Sequence, residues 1–423
     1  MSDGARDPTR ENPPSVSALY LHVPFCARRC LYCDFPTRAA RADDELLVAY
    51  ARALRLQLAE LTSLGLLEGV RTAYLGGGTP SFLGPKTLGS LVATVHRACP
   101  ALAELSCEAN PDSLGDELLA KLADGGVTRV SVGVQSLDDA ELAALGRAHG
   151  APQARERLSA AVKSGLLVSC DLMCAIPLQT ERSWRATLAG VIDAGVGHVS
   201  VYPLQIEESS AFGRRYVHAE AAFNDPDVQA ARMLEAEGAL GAAGLVRYEV
   251  ASYARPGEAC AHNLAYWTGR PYLGLGTGAA GMLDARGYAR LSVVAPQLPK
   301  LPANITRVRL TVTSSPRAVA LRPRLRDLSC DLEFLTADQA LCEDLMLAAR
   351  TSAGLGAPLL ERARERLGAR RLDACLGRVL RRGLVTSRPD GALAPTRRGW
   401  LQGNELYGEL WGLHEGEVLG ARC

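Results

Sequence analysis

Ala18-Leu-Tyr-Leu-His-Val-Pro-Phe-Cys26-Ala-Arg-Arg-Cys30-Leu-Tyr-Cys33-Asp-Phe35 is the stretch on which the reading of this chain turns. A short apolar run leads into a loop carrying three cysteines. Three thiolates so close together can grip three corners of a 4Fe–4S cube, and the next cysteine is the distant Cys99. The fourth iron is then left open. An open iron is where S-adenosylmethionine can chelate through its amino and carboxylate groups, with the cofactors carrying the chemistry. Structural zinc is the rival, since His22 can complete a His/Cys3 set. Zinc ribbons, however, carry a second ligand pair, which is missing here.

Outward from this loop, residues 17–204 repeat one pattern: a short β-branched run, a polar or glycine end, then an Ala/Leu/Glu/Arg stretch of helical period. Strands are expected at Ala18–Val23, Thr72–Leu75, Glu104–Glu108, Arg129–Gln135, Leu167–Met173 and His198–Leu204. Helices are expected at 43–64, 86–97, 115–124, 139–147, 151–164 and 181–193. Alternation of this length predicts right-handed βαβ crossovers and a parallel sheet. The fold class is α/β, a partial (βα)6 TIM-like barrel, with an open doubly wound sheet as the alternative. The polar residues of interest fall at strand ends, the rim where such barrels place their chemistry.

Residues 1–16 read as a loose tail and 17–295 as the barrel with an extension. Residues 296–330, rich in Pro, Arg, Val and Leu, read as a connecting segment or small β excursion. Residues 331–423 read as helices followed by a two-stranded wing, a small winged-helix-like C-terminal domain. Arginines are frequent there, but Glu361, Glu365 and Asp373 are interleaved, so a solvated charged face is the reading and nucleic acid is not expected.

Composition agrees with that reading. There are 47 basic and 46 acidic residues, a net charge of +1, which advertises neither nucleic acid nor an anionic membrane. No apolar run is long enough to span a bilayer, and Met1-Ser-Asp-Gly-Ala-Arg is polar. Twelve cysteines without an export signal point to a reducing, cytoplasmic compartment.

Several strand ends carry candidate cofactor contacts. Gly76-Gly77-Gly78-Thr79-Pro80-Ser81 offers backbone that a sulfonium amino acid can approach, or simply a turn. Glu108 can pair with an ammonium group or serve as a loop carboxylate. Gln135 ends the fourth strand, and Arg147 follows twelve residues later. Asp171 sits inside an apolar run, where a carboxylate needs a partner. Either it pairs with Arg147 or it takes ligand hydroxyls. Arg28 and Arg29 either ease cluster reduction or face solvent.

These segments occur together in one known family. Tyr20-Leu-His-Val-Pro-Phe-Cys26, Cys30-Leu-Tyr-Cys33-Asp-Phe35, Leu75-Gly-Gly-Gly-Thr-Pro-Ser81, Glu108-Ala-Asn-Pro-Asp112 and Gly133-Val-Gln-Ser136 are similar to motifs of radical S-adenosylmethionine proteins of the oxygen-independent coproporphyrinogen dehydrogenase type. The resemblance extends through Asp171, Pro177 and Tyr202. Within that family the chain most resembles the heme chaperone (HemW-like) branch. Phe35 stands where the dehydrogenases carry an extra cysteine, and His262-Asn263-Leu-Ala-Tyr266-Trp267 matches a segment of that branch. The resemblance implies cluster ligation by Cys26, Cys30 and Cys33. It implies S-adenosylmethionine contacts from Tyr20, Gly77, Gly78, Thr79, Glu108, Gln135, Arg147 and Asp171. It also implies heme handling by His262, Asn263, Tyr266 and Trp267. Imidazole suits heme iron and the aromatics suit a porphyrin face; a buried aromatic corner is the other reading of the same residues. The sequence departs from the family at Ala175, where glycine is common, and at Ala280, where histidine is common.

The expected function is therefore a heme-binding carrier that passes heme to acceptor hemoproteins, compatible with a membrane-associated respiratory acceptor and with a homodimer. The rivals are oxidative decarboxylation of coproporphyrinogen III and a radical enzyme of another substrate.

Overall fold

The structure is a computed structural model that describes residues 16–216, 222–414 and 416–423. Of the expected tail, residues 1–15 lie outside the described residues, and Val16 is buried in the core.

Six parallel strands form the centre: β1 (Ala18–Val23), β2 (Thr72–Gly77), β3 (Glu104–Ala109), β4 (Arg129–Gln135), β5 (Leu167–Cys174) and β6 (His198–Pro203). They lie side by side in chain order. The helices Glu45–Ser63, Gly84–Ala98, Asp116–Asp124, Ala151–Lys163 and Glu181–Asp193 connect them in succession, as the alternation demands. Each helix turns one apolar face to the sheet; Leu88, Leu91, Val92 and Val95 of Gly84–Ala98 are all buried. Every residue of β4 is buried, as expected for a parallel strand covered on both faces.

The sheet continues beyond these six. Tyr272–Leu275 adds parallel to β1, and Ser252–Ala254 adds antiparallel to β6. Ala280–Asp284, Ile305–Val312, Cys330–Thr336 and Leu419–Arg422 extend the β1 side as antiparallel strands. The stretch 296–330 thus contributes the strand Ile305–Val312 to the same sheet.

Past residue 336 the helices Ala337–Ala348, Ala357–Leu367 and Ala369–Arg381 precede the antiparallel pair Val385–Ser387 and Leu393–Pro395, a winged-helix-like arrangement. Leu341, Leu345, Leu360, Leu372, Leu376 and Val379 build a separate apolar core for it. Several of its arginines pair with acids, including Arg364 to Asp373 at 2.7 Å and Arg378 to Glu409 at 2.8 Å. Among the described residues no helix is long and apolar enough to cross a membrane.

Candidate functional site

The cysteine loop leaves the end of β1. Cys26, Cys30 and Cys33 are free thiols, each partly exposed. Arg147 Nη1 donates to Cys30 Sγ at 3.4 Å, and Thr79 Oγ1 donates to Cys26 Sγ at 3.4 Å. Asn110 joins these two donors: its Nδ2 donates to Thr79 Oγ1 at 2.9 Å and its Oδ1 accepts from Arg147 Nη2 at 2.7 Å. One hydrogen-bonded chain therefore runs Cys26–Thr79–Asn110–Arg147–Cys30. Asn110 lies in the Glu108-Ala-Asn-Pro segment and is a residue that the sequence reading missed; its position immediately after β3 is the available signal. Arg28 donates to Gly146 O at 2.9 Å and also to Arg147 O, tying the loop to the segment that carries Arg147. Arg29 Nη2 donates to Cys33 O at 3.0 Å.

The donor set suits a cluster. Spaced thiols with hydrogen-bond donors aimed at sulfur are how proteins hold and tune iron–sulfur cubes. Zinc instead needs its ligands converged on one point. Among the described residues, no three His, Cys, Asp or Glu side chains converge closely enough to share an ion. His22 Nδ1 lies 3.2 Å from Tyr20 Oη, and burial lowers the ring's pKa to about 4.

A bulge shapes the end of β4. The register against β5 shifts between Val132 and Gln135, and Gln135 adopts φ 66°. The carbonyls freed there find side-chain donors: Gly133 O accepts from Arg147 Nη2 at 2.6 Å, and Val134 O lies 3.3 Å from His149 Nε2. His149 is a further residue that the sequence reading missed. A Cβ at Gly133 would lie 2.8 Å from Asn110 Oδ1, so any larger residue there has to displace the Asn110 side chain. Gly77, at φ 114°, is similarly constrained, since a Cβ would lie 2.6 Å from the His22 ring. At Gly78 a Cβ would meet Phe25 O at 2.8 Å.

Two carboxylates face the barrel interior. Glu108 Oε2 accepts from Gly77 N at 2.9 Å, which joins the glycine run to the end of β3. Burial, then the nearby Asp171, raises the Glu108 pKa to about 7. Asp171 accepts from Ser131 Oγ at 3.0 Å, and burial raises its pKa to about 6. Arg147 spends its hydrogen bonds on Asn110, Gly133 and Cys30, while Asp171 turns to the serines. Tyr20 stacks on Tyr74 at 6.2 Å between ring centroids.

His262 lies at the other end of the barrel. It opens the helix Ala261–Trp267, and its ring is 1% exposed. Nδ1 lies 3.1 Å from Thr72 Oγ1 and Nε2 lies 2.8 Å from Tyr266 Oη, so both ring nitrogens are occupied. The ring also stacks on Tyr74 at 5.2 Å, extending the Tyr20–Tyr74 column through the barrel to Tyr266. Burial lowers its pKa to about 3. Asn263, Tyr266 and Trp267 instead line a cleft of about 480 Å3, with Tyr202, Met233 and Trp400 as other walls. Trp400 comes from the winged-helix-like part and is fixed there by Nε1 donating to Val250 O at 2.8 Å. Ala280 is exposed on its strand, and Ala175 is buried with φ 54°.

Comparisons with known proteins place this geometry in a family. The family model described as the radical SAM superfamily matches residues 20–189, which span the cysteine loop and β1–β5. The heme chaperone HemW of Mycobacterium tuberculosis is 39% identical over 279 residues, covering 64% of this chain and 70% of that protein. The heme chaperone HemW of Escherichia coli is 34% identical over 270 residues, covering 62% and 69%. The solved structure of Escherichia coli coproporphyrinogen III oxidase (HemN), described as a radical SAM enzyme, matches 95% of this chain and 90% of that one. Its TM-score is 0.73 at 20% identity, a likeness of fold. With the sequence match extending over more than two thirds of these relatives, the chain belongs to the HemW family of radical SAM proteins.

Proposed function

We propose that this chain is a heme carrier: it binds heme in the aromatic cleft and hands it to acceptor hemoproteins, with a 4Fe–4S cluster and S-adenosylmethionine held at the cysteine loop. The observation that supports this reading best is the aromatic cleft built on the His-Asn-x-x-Tyr-Trp segment. Its volume lies within the range of cofactor pockets, and flat aromatic walls with few polar groups suit a tetrapyrrole. In this reading Tyr266 and Trp267 meet the porphyrin, Asn263 offers a polar edge, and His262 works through its bond to Tyr266 as a positioning residue.

At the cysteine loop, Cys26, Cys30 and Cys33 would hold the cluster, and Arg147 and Thr79 would temper its thiolates. When bound, the cluster supplies one-electron reducing power and an open iron for the sulfonium amino acid. Glu108 and the Gly77 backbone would receive the ligand's ammonium group; Gly78, Gln135, Asp171 and Tyr20 would bound the rest. The protein would act in the cytoplasm, where a soluble carrier can also serve a membrane-associated respiratory acceptor or pair with a second copy.

Heme titration of the wild type, Trp267→Ala and His262→Ala tests the cleft. Weaker heme binding by Trp267→Ala is expected, and unchanged binding by both variants would place the cargo elsewhere. Anaerobic incubation with reductant, S-adenosylmethionine and coproporphyrinogen III tests the carrier reading itself. Protoporphyrinogen formed over many turnovers would replace it with the dehydrogenase activity.

A further inference from the structure

Cys330 and Cys423 sit opposite one another on adjacent antiparallel segments. Cys330 N donates to Cys423 O at 3.0 Å, and Cys423 N donates to Cys330 O at 2.9 Å. That exchange defines a hydrogen-bonded pair, continuing the register in which Asp331 faces Arg422. In such pairs the Cα atoms are about 5.5 Å apart, and directly opposed residues share a face of the sheet. Disulfides typically bridge Cα atoms about 5.5–6 Å apart. Both thiols are free. Cys330 is 5% exposed, whereas Cys423 is partly exposed.

The position matters because of what lies between them. The chain leaves the sheet after Cys330–Thr336, folds the helices and wing with their own core, and returns as Leu419–Arg422. The two strands are therefore the chain's way into and out of the winged-helix-like part. A bond at the Cys330–Cys423 end would close that part into one covalent loop anchored to the barrel sheet.

We propose that Cys330 and Cys423 are a redox modification site, oxidised to an intramolecular disulfide by a low-molecular-weight disulfide such as oxidised glutathione. The more exposed Cys423 thiolate attacks the glutathione disulfide, forming a mixed disulfide and releasing one reduced glutathione. The Cys330 thiol then loses its proton and attacks the Cys423 sulfur, releasing the second. Two protein thiols are oxidised and one glutathione disulfide is reduced to two thiols. In a reducing compartment the pair stays open, and it closes as the glutathione pool becomes oxidised.

The test incubates the full-length, cluster-loaded protein with oxidised glutathione under anaerobic conditions and alkylates the remaining thiols. A non-reducing digest that cleaves after glutamate keeps Val418–Cys423 together for mass spectrometry. The expected result is a Cys330–Cys423 crosslink that disappears in Cys423→Ser and under dithiothreitol. The unfolding midpoint of the winged-helix-like part should rise by on the order of ten degrees in the oxidised wild type and stay unchanged in Cys423→Ser. A stable glutathione adduct on Cys423 without crosslinking, an unmodified pair, or a crosslink from Cys423 to another cysteine would overturn the assignment.

Discussion

Glu104 caps the helix that carries His262. Its Oε1 accepts from His262 N at 2.9 Å, its Oε2 accepts from Ala261 N at 3.0 Å, and Arg129 Nη2 lies 3.9 Å away. The first residue of β3 thus fixes, across more than 150 positions of chain, the start of the helix whose Asn263, Tyr266 and Trp267 line the cleft. A carboxylate at a helix start is favoured by the orphan N–H groups there, and Arg129 offsets the cost of burying it. Glu104→Gln keeps the shape but loses the charge and one acceptor. Stability should fall by about 1–3 kcal/mol in denaturant unfolding. Heme affinity should fall with it, and a stability loss with unaltered heme affinity would separate the capping role from the cleft.

Arg147→Lys tests the chain between Cys26 and Cys30. A lysine cannot serve Asn110, Gly133 and Cys30 with one planar fork. Loss of such supporting bonds typically costs about 10-fold or more in affinity for a metal group. Iron and sulfide content after anaerobic reconstitution should drop in the variant while circular dichroism stays that of the wild type. Full cluster loading in Arg147→Lys would remove the guanidinium from the account.

Two substitutions at strand ends should move stability in opposite directions. Gly133→Ala drives a methyl group against Asn110 Oδ1 and should destabilise by about 1–3 kcal/mol. Ala175→Gly relieves a non-glycine residue held at φ 54° and should stabilise by up to about 1 kcal/mol, after the extra freedom of glycine in the unfolded chain is counted. Thermal melts of both variants decide the matter, and a destabilised Ala175→Gly would show that the backbone strain is not relieved there.

S-adenosylmethionine binding should strengthen with pH up to about 7. Burial keeps Glu108 protonated below that value, and only its ionised form attracts an ammonium group. Affinity should fall about tenfold for each pH unit below 7. Isothermal titration between pH 5.5 and 8 reads the slope, and Glu108→Gln should flatten it. A wild type without pH dependence would take Glu108 out of the binding site.

Acid should destabilise the fold through its histidines. Burial lowers the pKa of His22 and His149 to about 4 and of His198 and His262 to about 3. Below about 6.5 the unfolded chain takes up protons that these native rings refuse, so stability is present above that pH and falls as pH drops towards 4. Glu108 and Asp171 work the other way: their raised values mean that protonation between about 7 and 4 favours the native state. Burial raises Glu141, Glu249 and Asp344 in the same sense, but between pH 6.5 and 5 all four native histidines refuse their protons, so the net slope should be loss of stability with acid. Urea unfolding at pH 7.5, 6 and 5 measures it, and a rise in stability on acidification would reverse the balance.

The sequence by itself determined the architecture and the cysteine loop. The spacing of Cys26, Cys30 and Cys33 is a local property of the chain, and so are the strand and helix periods, whose patterns recur within a few residues. The expected ranges therefore match those found, with Ala18–Val23, Arg129–Gln135 and the helix Glu181–Asp193 agreeing at both ends. The clustering at one rim followed as well, because parallel strands all end on the same side. What local pattern could not decide was partnership between distant segments. Whether Asp171 turns to Arg147 or to serines depended on a bulge in β4 that diverted Arg147 to Gly133 and Asn110. Whether His262 faces open space or the core depended on Thr72, Tyr266 and Tyr74 filling the barrel around it. The apposition of Cys330 and Cys423 likewise needed two strands separated by a whole folded module to meet in register. These contacts are set by packing and hydrogen-bond satisfaction between residues brought together only on folding, a constraint that no window of sequence contains.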